Sequence, residues 1–168
     1  MGFNITWIAF HDLPLKEAAL SLGLALTGQS DETFDFPVNG ISTDQNWSIV
    51  IFNEQQIALA GAKTLKWLST GRDIVVVHIN ETVMHQIATR WVDGNEVWTV
   101  EHDSSLDLDH LEAEGDLPSS FEEIREARLE EQKRDTETDH ISDVPLELAQ
   151  RITGFSHDVL AAEYFELE

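Results

Sequence analysis

A chain of 168 residues with 42% hydrophobic content can bury one ordinary core, and five tryptophans and eight phenylalanines supply large apolar bodies for it. Acids outnumber bases 32 to 10, a formal charge of -22 that repels nucleic acid and anionic membrane and favours a cationic partner. With no cysteine, disulfides and thiolate chemistry are excluded. No basic leader precedes the apolar N-terminal residues and no apolar run approaches the roughly 20 residues of a membrane span, so a cytoplasmic location is expected.

Gly2 to Phe10 reads as a strand, and Asp12 with Pro14 starts a helix whose apolar periodicity, Leu15, Ala18, Ala19 and Leu22, ends at Gly23. Residues 27–46 mix Gly, Asp, Ser and Asn and read as a loop with a short strand around Thr33 to Phe36. Trp47 to Phe52 has strand length, and Glu54 to Ser69 shows helical spacing through Ile57, Ala60, Thr64 and Leu68, closed by Gly71. Asp73 to Ile79, with its run of valines, has the composition of a central strand buried on both faces.

The clearest local signal is a hairpin, Met84 to Val92 and Asn95 to His102 joined by Asp93-Gly94. Counting outward from the turn pairs Trp91 with Glu96, Thr89 with Trp98, Ile87 with Val100 and His85 with His102 on one face. Arg90 with Val97 and Ala88 with Thr99 fall on the other. Beyond His102 the composition turns acidic: 17 of the 32 acids lie between Glu101 and Glu147. Ser120-Phe-Glu-Glu123 matches a capping box, and a largely wet helix follows to about Arg134 with a thin apolar stripe of Phe121, Ile124 and Leu129. Residues 103–140 are expected to form an acidic loop and helix, partly mobile, with a link at Asp135 to Asp139. Asp143-Val-Pro145 opens another helix that runs to about Thr153, capped by Gly154, and Ala161 to Leu167 can add a strand or helix.

Together these elements predict a single α+β domain over residues 1–168. Its sheet is mixed, has about five strands and carries the C-terminal antiparallel hairpin at 84–102. Helices pack on the sheet and the C-terminal segment is acidic and helical. The alternating strand and helix units before Asp73 permit parallel pairing, while the Asp93-Gly94 turn demands an antiparallel pair.

Five of the seven histidines adjoin an aspartate, among them His102-Asp103 and Asp139-His140. The sharpest reading makes His85, His102 and Asp103, with His78 nearby, a metal site that activates water; the plainer one makes these histidines hydrogen-bonding or loop-capping groups. Asp103, Asp107, Asp109, Glu112, Glu114 and Asp116 crowd oxygen ligands together, but their spacing misses the EF-hand loop and suits only weak, nonspecific cation binding. No cofactor is otherwise called for, a divalent cation being the one candidate. Gly61-Ala-Lys63-Thr64 lacks the earlier glycine of a phosphate-binding loop, and neither a nucleophile elbow nor a dinucleotide fingerprint occurs.

Two stretches, Trp91 to Asp103 and Asp143 to Asp158, with Trp7-Ile-Ala9, resemble a group of small acidic bacterial proteins of uncharacterised function. The resemblance implies a bacterial origin and carries no activity or catalytic residue. The leading functional expectation is a non-enzymatic binding module, immunity or antitoxin-like, that masks a basic protein partner through Glu122, Glu126 and Glu130 and engages neither nucleic acid nor membrane. Solubility is the competing use of the same acids. The alternative is a metal-dependent hydrolase built on His85, His102 and Asp103.

Overall fold

The computed structural model describes residues 2–158 and 163–168. Its frame is one sheet of nine strands: β1 (Asn4–His11), β2 (Leu26–Asp31), β3 (Val38–Ser42), β4 (Trp47–Phe52), β5 (Asp73–Asn80), β6 (His85–Val92), β7 (Asn95–Asp103), β8 (Glu112–Gly115) and β9 (Tyr164–Leu167). Their order is β2-β9-β3-β4-β1-β5-β6-β7-β8, with every pairing antiparallel. Among the described residues four α-helices, α1 (Leu15–Ser21), α2 (Ala62–Leu68), α3 (Ser120–Arg134) and α4 (Asp143–Thr153), complete the α+β fold.

Both the size and the direction of this sheet correct the expectation of five mixed strands. The strand and helix alternation is real, because α2 joins β4 to β5 and those two strands run the same way. β1 occupies the slot between them and pairs antiparallel with both, so no parallel ladder forms. Two of the extra strands, β2 and β3, come from the stretch at 27–46 read as a loop, and a third, β8, comes from the acidic segment also read as a loop. β2 is exposed along most of its length and β3 is only five residues, so neither shows the alternation that marks a strand; Thr33 to Phe36 itself is not a strand. The expected helix from Glu54 to Ser69 is shorter, a single 3-10 turn at Ile57–Ala60 and then α2, interrupted at Gly61 in extended backbone. Of the strand or helix left open at Ala161 to Leu167, β9 is a strand over Tyr164–Leu167, and Ala161 and Ala162 fall outside the described residues.

Alternation sorts the central strands into two apolar faces. Ile8, Phe10, Val50, Ile74, Val76 and Trp91 pack against Ala18 and Ala19 of α1 and Leu65 and Leu68 of α2. Trp7, Ile51, Val77, Trp98 and Val100 pack on the other face against Phe121 and Ile124 of α3 and Val144 and Leu148 of α4. A sheet covered on both faces explains the unbroken apolar runs of β4 and β5. α4 has the span and the left-handed glycine cap at Gly154, φ 75°, that the sequence indicates. α3 begins at Ser120, but no side chain caps it, so the capping box is not formed.

The hairpin turn is as expected, with Asp93 at φ 47° and Gly94 at φ 77° as a type I′ turn requires. Its register is not. Trp91 faces Glu96, but a bulge at Val97 then shifts the ladder, so that Arg90 faces Trp98, Ala88 faces Val100, Gln86 faces His102 and His85 faces Asp103. The extra residue moves Trp98 and Val100 from the α1/α2 face to the α3/α4 face, where a core awaits them. It leaves Thr99 and Glu101 on the half-exposed opposite side.

Gly115 seals this arrangement from the edge. Its φ of 94° is left-handed, and a Cβ there would collide with the carbonyl oxygen of the bulged Val97, whose oxygen accepts the Asp116 N–H at 2.7 Å. Gly115→Ala should therefore lower stability by about 2 kcal/mol or more, read from the denaturant midpoint, and amide exchange should speed up selectively in β8.

Candidate functional site

The bulge separates the residues the sequence proposed to unite. His102, fully buried, points to the α3/α4 face, while His85, Asp103 and His78 belong to the other, so His85 and His102 are not cross-strand neighbours. The members left on one face are already engaged. His78 Nδ1 contacts the Thr6 hydroxyl at 2.8 Å and its Nε2 lies 3.3 Å from the Leu59 carbonyl, while His85 Nε2 meets Glu101 at 2.7 Å. Asp103 Oδ1 accepts the Ser105 N–H at 2.9 Å, and its carboxyl is held below the usual range by hydrogen bonds from Ser105. Among the described residues no three His, Asp or Glu side chains are gathered as a metal would require. The crowded acids of the loop follow suit, Asp107 accepting the Asp109 N–H at 3.0 Å in a local turn.

Nor do the His-Asp dipeptides pair within themselves, apart from His11 and Asp12 at 3.6 Å. His140 reaches Asp135 at 3.1 Å and His157 reaches Glu81 at 3.2 Å. Asp135 is held down to about 2 by Thr138, the Glu137 N–H and His140, which ties together the stretch read as a mobile link.

His102 makes the most consequential of these contacts. Its Nε2 lies 2.8 Å from Asp139, only 7% exposed, and its Nδ1 lies 2.6 Å from the His110 carbonyl. Both ring nitrogens thus face oxygen partners on other elements. His110 in turn accepts the Asp103 N–H on Nδ1 at 2.9 Å, which places its own proton on Nε2, 3.4 Å from Glu112. One buried residue of β7 therefore fastens both the acidic loop at His110 and the α3–α4 connection at Asp139. Neither partner was legible as such, because they lie 8 and 37 residues from His102.

The loop so anchored forms one wall of a groove of about 440 Å³ against α3. Leu111, Ala113, Leu117, Phe121 and Leu129 supply apolar surface, and Asp109 and Glu122 with Arg125 border it. The proposed stripe of Glu122, Glu126 and Glu130 is exposed on α3, but it is largely balanced. Arg125 holds Glu122 at 3.0 Å, Lys133 holds Glu130 at 2.6 Å, and of the three only Glu126 has no ion pair among the described residues. The uncompensated charge lies earlier, since residues 103–116 carry six acids and no Lys or Arg. Elsewhere a cleft of about 430 Å³ between α4 and the segment at His157 is lined by Arg128, Arg151 and Glu147, whose charges pair with one another. Arg128 keeps its charge against burial through Glu147, and burial raises Asp143 beside it.

No family model matches the chain, and comparison with curated proteins and with solved structures produced no match.

His102→Ala should cost about 3 kcal/mol, because it strands the Asp139 carboxylate in a buried position, and the His102→Ala, Asp139→Ala double variant should cost less than the sum of the two singles. A denaturant double-mutant cycle measures this. His78 supplies a pH signature: burial holds its folded-state pKa below 6.5, so its contribution is complete above that pH and is lost as the pH falls toward the folded-state value. His78→Gln should flatten the loss of stability between about pH 7 and pH 5, measured as the change in denaturant midpoint.

Proposed function

We propose that this chain is a non-enzymatic binding module that masks a basic protein partner, in the manner of an immunity or antitoxin protein, and that it works in the cytoplasm. One observation carries the reading: an uncompensated acidic segment is pinned in place by a buried histidine and lies beside an apolar groove. Negative potential speeds encounter with a cationic protein, and the apolar surface supplies the desolvated contacts from which affinity comes. A charged surface meant only for solubility needs neither the groove nor the buried anchor. The absence of cysteine suits a reducing compartment, and no helix among the described residues is long and apolar enough to cross a membrane. The same charge opposes binding to nucleic acid.

Association with a small basic ribonuclease, followed by stopped-flow at low ionic strength, tests the electrostatic half. Reversing Glu112 and Glu114 to lysine should lower the association rate about tenfold, and reversing Glu122, Glu126 and Glu130 should lower it as well. An association rate indifferent to both sets, or to added salt, would sink the proposal.

A further inference from the structure

The groove beside α3 adjoins a free sheet edge, and the two features together specify an occupant. Among the described residues β8 is the last strand of the sheet and pairs with β7 alone, so half of its backbone N–H and C=O groups point outward with no described strand to receive them. Its side chains alternate. Ala113, opposite the buried Val100, lies on the α3 side with Leu111 and lines the groove, while Glu112 and Glu114 lie opposite Glu101 and Thr99 on the other, exposed side.

We propose that β8 receives a strand from a basic protein partner, whose apolar side chains alternate with lysine or arginine. The apolar set enters the groove over Leu111, Ala113, Leu117 and Phe121, and the cationic set lies along Glu112 and Glu114. Main-chain pairing supplies affinity, the groove selects the apolar residues, and opposite charges at neighbouring cross-strand positions select the basic ones. Charge complementarity argues for this occupant over a second copy of the chain, which would set one β8 against another and bring Glu112 and Glu114 near their own like. The opposite edge, β2, lacks the counterpart: its exposed Leu26, Thr27, Gly28, Gln29 and Ser30 include no acid. This inference rests on the reading of the chain as a binder of basic proteins and assigns that binding to one strand.

The test uses the full chain and a synthetic peptide of about ten residues, an extended strand's length, alternating valine and lysine. It is compared with an isomer whose lysines are grouped and with a copy N-methylated at alternate amides. The alternating peptide is expected to bind at least tenfold more tightly than either and to slow amide exchange in Glu112–Gly115. The Glu112→Lys, Glu114→Lys chain is expected to bind it at least tenfold more weakly. Equal binding of the N-methylated peptide, or protection at β2 in place of β8, overturns the strand-addition inference. If the peptide fails while the basic ribonuclease still associates in an acid-dependent way, the β8 assignment falls and the broader reading stands; if both fail, both fall.

Discussion

An extra residue in β7 governs the far half of this sheet. Side chains on a regular strand alternate, and one inserted residue breaks that alternation once and so exchanges the faces of everything beyond it. Val97 makes that exchange, and two consequences follow along the strand. Trp98 and Val100 enter the core beneath α3 and α4, and His102 arrives where it can contact both Asp139 and the carbonyl of His110. Without the bulge, the α3/α4 layer would meet Thr99 and Glu101, residues with little apolar surface to offer. The core under α3, the anchored loop and the placement of β8 are thus parts of one register decision.

The elements with strong local signals were open to reading. The Asp93-Gly94 turn, the central valine strand and α4 with its glycine cap each carry their own chemistry within a few residues, and each forms where that chemistry places it. What escaped was set by distance. β2 and β3 are strands because β9 and β4 pair with them, and nothing within their sequences marks it. The insertion of β1 between β4 and β5 is likewise a long-range event that strand and helix alternation cannot report. The candidate site divides on the same line. The acidic concentration after Glu101 is visible in composition, whereas the separation of His85 from His102 depends on the bulge and the pairing of His102 with Asp139 depends on the tertiary fold.

Charge shows how composition and position differ. α3 is rich in glutamate, yet Arg125, Arg128 and Lys133 hold much of that charge in short pairs along and beside the helix. Such exposed pairs add little stability, but they quiet the local field. The loop and β8 have no Lys or Arg, so the outward potential concentrates there although the helix holds nearly as many acids. Counting carboxylates spreads the negative face over the loop, β8 and α3; pairing them concentrates it on the loop and the neighbouring edge.

The position of β9 has a consequence for how the chain is assembled. It lies between β2 and β3, elements that precede it by more than a hundred residues, and pairs Leu167 with Leu26 and Phe165 with Gly40. During synthesis, β3 can join β4 early, but its outer edge stays unsatisfied and β2 has nowhere to dock until β9 emerges. That flank is therefore held by contacts of high sequence separation, and any state of the chain that lacks β9 leaves the outer edge of β3 as unpaired strand.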